Sequence, residues 1–414
     1  MTGIHYREDL IALLYQAAEL EHGLACSYLF TAFSLKEHLD EGLTPEQLEK
    51  VLEWEQTFIH IAIQEMGHLL LATDLVVAIG GAPHLDRPNF PQPTSYYLPD
   101  YDLALRPFSK QTLEHFIYVE RPESVILAPV LKPQANTPII EPRDNLIGPD
   151  PEQFDTVADI YDQIAEDFKS LVERYGEQRV FVARPQTAFL YASLGLEEID
   201  PLTNLEAVLE AIELIVTEGE GDRGNRADSH YGLFKKIHAE YTAMLAESPD
   251  FEPARPVLNN PFPRTPPAST GSPSIVTDPV IIEMMDLFDA GYATMLQTLG
   301  RVFAPNGETE DDLKLLLDVA LTAMSRGLAP LGNLLMRLPA GSDYPGMNAG
   351  PSFGLYHAVH TMPYRQAAWQ LMIERYRELA EYARTISVHY GDVEAVNTVA
   401  TVLDELANKL ATRQ

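Results

Sequence analysis

The chain has 414 residues, 46% hydrophobic and 22% charged, which describes a globular protein long enough for two cores. Its formal net charge of −32 argues against nucleic acid or anionic lipid as a partner, since both select a basic face. A single cysteine, Cys26, excludes an internal disulfide framework, a cysteine-based zinc site and an iron–sulfur cluster within one chain.

The N-terminus lacks the basic-then-apolar pattern of a signal peptide, and no uninterrupted apolar run reaches the ~18 residues of a membrane span. A cytoplasmic protein is therefore expected. The first helical pattern runs from about Arg7 to Glu37, with Leu14, Ala17, Ala18, Glu21, Leu24, Ala25 and Tyr28 on one face. The second starts at Thr44-Pro45, a cap followed by proline, and runs to Ile79 before Gly80-Gly81. Its stripe holds Phe58, Ile61, Ala62, Glu65, His68, Leu69, Ala72 and Val76.

From 83 to 151 the sequence is proline-rich, interrupted by one short helix from Ser109 to about Glu120. Helices are predicted at Thr156–Tyr175 and Leu205–Thr217, and another after an Asp228 or Ser229 cap, with His230, Leu233, Phe234, Ile237 and Tyr241 on one face. Nine prolines between Pro249 and Pro279 mark a linker. Four more helices are predicted at about 279–303, 309–338, 363–389 and 391–412, and no strand pattern is long enough for a sheet. The expected organisation is a first domain at 1–246 with a proline-rich insertion at 83–151, a linker at 247–277 and a helical domain at 278–414.

A carboxylate inside an apolar stripe is costly unless it is paired or binds a metal. Glu21 lies between Ala17 and Ala25, whose small side chains leave room beside it, whereas Glu19 and His22 fall off the stripe and are expected in solvent. Glu65 and His68, three apart, share a face. A Glu facing a Glu-x-x-His on the neighbouring helix is the donor set of carboxylate-bridged di-iron bundles, and oxygen with imidazole nitrogen suits iron or manganese. The competing reading of Glu65 and His68 is an ion pair. For the other half of such a site the candidates are His230, Glu218 or Glu220, and Glu120. The helical wheel favours Glu218, and Glu120 could instead pair with Arg121. Tyr28 is a candidate redox or hydrogen-bonding neighbour, and His238 reads as a polar-side residue.

Several stretches resemble one family: Ala18-Glu19-Leu20-Glu21-His22, Gln64-Glu65-Met66-Gly67-His68-Leu69, Arg87-Pro88-Asn89-Phe90-Pro91, Val119-Glu120-Arg121-Pro122-Glu123, Glu218-Gly219-Glu220-Gly221, Asp228-Ser229-His230-Tyr231 and Ala349-Gly350-Pro351-Ser352-Phe353. They are similar to the ferritin-like family that includes the iminophenyl-pyruvate dimer synthases of violacein- and rebeccamycin-type pathways. The resemblance implies an all-α, ferritin-like four-helix bundle with a second, bundle-like C-terminal half. It marks Glu21, Glu65, His68, Glu120, Glu220 and His230 as metal ligands, favouring Glu220 over Glu218. It further implies an oxidoreductase of secondary metabolism that holds iron, two ions per chain, with manganese as the alternative. Dioxygen or peroxide and a small amino-acid-derived substrate would be its partners, and a homodimer is compatible with it. The violacein-pathway enzyme is much longer than this chain. Some relatives are associated with haem, but there is no Cys-x-x-Cys-His attachment motif here and no axial histidine stands out.

In the C-terminal half Met284, Met285, Met295, Met324, Met336 and Met372 read as an adaptable core. Glu283, Asp286 and Asp289 read as a solvated face, and His357 and His360 as surface or structural residues. Iron binding or storage without organic catalysis, and a structural module with a degenerate site, are the competing functional readings.

Overall fold

The computed structural model describes residues 6–92, 97–98, 101–127, 154–182, 188–192, 199–219, 227–266, 272–359, 363–390 and 394–413. Contacts divide the chain into two units. Unit 1 holds Met1–His84, Pro91–Leu103 and Phe108–Ala254; unit 2 holds Leu85–Phe90, Ala104–Pro107 and Arg255–Gln414. The expected linker is thus divided between them at Ala254, and two short pieces of the proline-rich insertion belong with the C-terminal unit.

In unit 1, α1 (Arg7–Ser34) is buried on nearly every face from Leu20 onward, as befits a stretch with apolar residues all round. It packs along α2 (Pro45–Ala78). Thr44 caps α2 by accepting from Gln47 N, and the Gln47 side chain accepts from Thr44 N, with Pro45 in the first turn. The helix stops where Gly80 takes φ 88°, a value glycine adopts without a Cβ penalty. The remaining elements are α3 (Lys110–Val119), α4 (Val157–Tyr175), the short α5 (Glu177–Val180) and α6 (Ala188–Ala192), α7 (Leu205–Gly219) and α8 (His230–Glu247). Ser109 and Ser229 cap α3 and α8 by accepting from Thr112 N and Gly232 N.

Four of these helices meet in an aromatic layer. Tyr28 of α1, Phe58 of α2, Phe116 of α3 and Phe234 of α8 interlock, with Tyr28 4.7 Å from Phe116 and 5.1 Å from Phe234, and Phe58 5.4 Å from Phe234. Seven residues along α1 and α2, and four along α3 and α8, lead from this layer to Glu21, Glu65, Glu120 and His230. The polar layer therefore lies one to two turns, roughly 6–10 Å at 1.5 Å per residue, above the aromatic one. The helix α4 packs against α1 and α7, and closes the polar layer from outside.

Unit 2 is built from α9 (Pro279–Phe303), α10 (Glu310–Thr322), α11 (Ala329–Leu335), α12 (Arg365–Tyr390) and α13 (Glu394–Ala411). The single helix expected over 309–338 is split by a π-helical turn, Ala323–Leu328. Pro330 explains it: proline offers no N–H to the Arg326 carbonyl and its ring crowds that group, so the helix widens just before it. Arg301 is buried against Glu308 (Nε to Oε1 2.8 Å), which also accepts from Trp369 Nε1 at 3.0 Å. Asp289 corrects the expectation of a solvated face. It is buried, accepting from Ser352 Oγ (2.6 Å) and Gly354 N (2.8 Å), while Asp286 beside it pairs with Arg264. His357 is exposed, and His360 lies outside the described residues.

The pieces at 85–90 and 104–107 are stitched into unit 2 by hydrogen bonds. Asn89 both donates to Leu355 O and accepts from Leu355 N (2.8 Å each), Arg87 donates to Phe353 O (2.6 Å), and Asp86 accepts from Val359 N (2.7 Å). Leu105 N donates to Asn260 Oδ1 (2.8 Å), and the Asn260 backbone N–H donates to Leu105 O (2.9 Å). These bonds hold Phe353 at φ 48°, a left-handed conformation that a bulky residue rarely adopts. The Arg87–Pro91 and Ala349–Phe353 motifs, 266 positions apart at their bonded residues, thus serve one structural joint. Among the described residues the sole strands are a parallel pair of two-residue pieces, Pro261–Phe262 and Ser274–Ile275. By length and composition two helical stretches, Pro45–Ala78 and Glu310–Leu335, could cross a membrane, but 78% and 50% of their apolar windows are buried in the protein.

Candidate metal centre

The polar layer of unit 1 gathers Glu21, Glu65, His68, Glu120 and His230, none more than 3% exposed. Glu65 lies at its middle. Its Oε2 is 3.4 Å from His68 Nδ1, and its Oε1 is 2.9 Å from His230 Nδ1. Glu21 Oε2 lies 3.8 Å from His68 Nδ1 on one side, and Glu120 Oε2 lies 3.7 Å from His230 Nδ1 on the other. The five residues form two triads, Glu21/Glu65/His68 and Glu65/Glu120/His230, each with its donor atoms within 4.8 Å of one another. Glu65 belongs to both.

The outer carboxylates are each held from behind by a buried phenol. Tyr161 of α4 donates to Glu21 Oε1 at 2.6 Å, and Tyr28 donates to Glu120 Oε1. In each case the second oxygen is left facing the centre. Tyr28 is expected near the site from the sequence and Tyr161 is not, because Tyr161 sits among Ile160, Ile164 and Phe168 and reads as core.

Glu218 approaches His68 from the opposite side: its Oε2 lies 3.0 Å from Nε2, the ring nitrogen turned away from Glu21 and Glu65. It is the one partly exposed member of the group, at 23%. Gly219 follows it, and a Cβ there would stand 3.4 Å from Glu120 Oε2, so the end of α7 lies directly on the site. Glu220, which the resemblance favoured, lies outside the described residues. His22, expected in solvent, is instead buried, and Glu19 is half-buried with His84 Nε2 at 2.8 Å from its carboxylate. The reason is local: from Leu20 onward α1 is enclosed on nearly all sides, so His22, off the apolar stripe, still faces protein. His238 is on the rim as expected, with Nε2 3.2 Å from Glu114.

The electrostatics of the cluster draw positive charge to its centre. Burial, then the neighbouring Glu65 charge, pushes the Glu21 carboxyl up to about 8. Burial also opposes ionisation of Glu65, but His230 and His68 outweigh it and hold Glu65 well below the usual carboxylate range. Burial would lower both histidines; contacts with Glu65 and Glu120 nonetheless raise His230 to about 9, and Glu21, Glu218 and Glu65 raise His68. Positive charge is drawn to the space between these groups, and protons supply it in the absence of another cation. Protons do so incompletely. Glu65 Oε2 and both ring nitrogens of His230 are buried without a hydrogen bond of good geometry, the 2.9 Å contact between His230 and Glu65 being misaligned. Orphaned carboxylate and imidazole donors converging on common points fit a metal ion.

A family profile described as ferritin-like matches residues 14–239, which includes all the helices that carry this layer. The dichlorochromopyrrolate synthase of Lentzea aerocolonigenes is 28% identical over 99% of this chain and 42% of its own length. The 2-imino-3-(indol-3-yl)propanoate dimerase of Chromobacterium violaceum is 25% identical over 84% of this chain and 34% of its own length. The chain therefore spans less than half the length of either curated relative. A ferritin-like protein from Caulobacter vibrioides shares the fold, with a TM-score of 0.51 at 17% identity over 84% of this chain and all of that one. With more than half of its length matched by the profile, the chain belongs to the ferritin-like family.

Proposed function

We propose that this protein is an iron-dependent oxidoreductase acting on a small amino-acid-derived substrate. The observation that carries the reading is the pair of buried triads sharing Glu65, with donor atoms left unpartnered at their centre. Glu21 and His68 would hold one cation and Glu120 and His230 a second, with Glu65 between them, as in carboxylate-bridged bundles. Manganese suits the same donors. Bound iron would supply the redox chemistry with dioxygen or peroxide that no side chain here provides.

The protein's own residues supply the frame. Tyr161 and Tyr28 restrain the outer carboxylates. The aromatic layer of Tyr28, Phe58, Phe116 and Phe234 seals one side against water, which strengthens every electrostatic contact above it. The substrate class is supported by the relatives: one is named for dimerising an indole-bearing imino acid, the other for making a dichlorochromopyrrolate. An α-imino acid is accordingly the substrate class to test first.

Metal analysis of protein purified from iron-supplemented cells is the test. Two ions per chain are expected, and none in Glu65→Ala. Well under one ion per wild-type chain, with Glu65→Ala unchanged in every measured property, would remove the basis of the reading.

A further inference from the structure

The two nitrogens of His68 face different surroundings. Nδ1 is directed at Glu65 and Glu21, 3.4 and 3.8 Å away, while Nε2 meets Glu218 at 3.0 Å. A neutral imidazole carries one N–H and one lone pair, so a ring that gives Nδ1 to a cation must carry its proton on Nε2. That proton needs an acceptor, and Glu218 Oε2 stands where one is required.

The position of Glu218 argues that this contact is specific. It lies in the last turn of α7, where the helix dipole disfavours a negative charge. The carboxylate is held there by His68, whose Nε2 lies 3.0 Å from its Oε2. Gly219, next along the chain, lies against Glu120 Oε2. Glu218 thus reaches the ring from the side away from the other carboxylates and does not share their space.

We infer that Glu218 is not a metal ligand but the positioning residue for His68, accepting from Nε2–H so that Nδ1 is presented to the cation. The inference rests on the metal reading above. It replaces the choice between Glu218 and Glu220 as ligands with a different role for Glu218: a carboxylate–histidine–metal relay, in which removing the outer partner costs about 10–100-fold in metal affinity.

Cobalt(II) titration of wild-type protein, Glu218→Ala and Glu218→Gln tests it, with proton NMR of the cobalt-loaded forms. Both variants should bind as many ions as wild type with the same visible ligand-field spectrum. Affinity should fall about 10–100-fold in Glu218→Ala and stay near wild type in Glu218→Gln, whose amide oxygen still accepts. In NMR, the exchangeable, paramagnetically shifted N–H line of His68 should broaden into solvent exchange in Glu218→Ala and persist in Glu218→Gln. Loss of one ion, or a changed ligand-field spectrum in Glu218→Ala, would make Glu218 a ligand and overturn the inference. Wild-type affinity and an unaltered N–H line in Glu218→Ala would overturn it as well. Those outcomes leave the metal reading standing, whereas a wild-type protein that takes up no cobalt defeats both.

Discussion

Tyr161 and Glu21 are 140 positions apart in the chain and meet through a 2.6 Å hydrogen bond in the interior of unit 1. Because the other Glu21 oxygen faces His68, the phenol would leave that oxygen to a bound cation. Tyr161→Phe leaves a buried carboxylate oxygen without its donor, at a cost of about 1–3 kcal/mol. A lower denaturation midpoint is expected, together with weaker metal uptake at the Glu21/His68 position and little change at the Glu120/His230 position. Cobalt titration with spectral detection separates the two positions. Equal weakening of both would mean that Tyr161 acts on the fold alone.

The shared position of Glu65 gives an unequal set of ligand variants. Glu21→Ala and Glu120→Ala should each retain one of two ions, since the other triad is intact. Glu65→Ala should retain neither. Metal content per chain after desalting measures this directly, and a Glu65 variant that keeps one ion would show that the triads are independent.

Metal uptake should release protons. Glu21 titrates near 8 and His230 near 9 in the cation-free site. A cation must displace these protons and that of His68, which its carboxylate neighbours also raise, so apparent affinity rises with pH from 6 through 9. Calorimetry in buffers of different ionisation enthalpy counts the protons released. Affinity that does not vary between pH 6 and 9 would contradict this assignment of charge.

Asp289 in unit 2 predicts a stability effect of definite sign. Burial raises its carboxyl from 3.8 to about 7, against the pull of Ser352 and Gly354. Below pH 3.8 the folded and unfolded chains both hold the proton. Between 3.8 and 7 only the folded chain keeps it, so stability falls as pH rises, and the loss, on the order of a few kcal/mol, is complete above 7. Asp289→Asn keeps an acceptor for Gly354 without the charge. Its stability relative to wild type should grow from pH 4 to 7 and then stay constant. Trp369 fluorescence in a Trp54→Phe background follows unit 2 alone. A difference independent of pH would rule out the titration.

Much of the candidate site was legible because its residues break a pattern. Glu21, Glu65 and His68 interrupt apolar stripes on long helices, and His230 follows a serine cap on the buried face of α8. Glu120 was harder: it follows Leu113 and Phe116 down the buried face, but as the C-cap of a ten-residue helix it reads as readily as a partner of Arg121. Tyr161 obeys the pattern of its helix, so nothing in the sequence distinguishes it from a core tyrosine. Glu218 was placed on the inward side by the helical wheel, but no pattern along the chain reports which nitrogen of a distant histidine it meets. In unit 2 the boundaries of α9 were read correctly. The π turn and the burial of Asp289 were not, because one depends on Pro330 acting on its preceding turn and the other on partners 63 and 65 positions away.

The joint between Asp86, Arg87 and Asn89 and the 353–359 loop bears on how this protein can be cut. An expression fragment beginning at Arg255 would look self-sufficient, with every helix of unit 2 included. It would nonetheless leave the Leu355 N–H and carbonyl, the Phe353 carbonyl and the Val359 N–H without the partners they have in the whole chain. Those groups sit beside a residue already held in an uncommon backbone conformation, so the loop would lose its shape first. The pieces at 85–90 and 104–107 are in effect grafts. Dissection, fusion or circular permutation should succeed when these pieces stay with the C-terminal helices and fail when they are left behind.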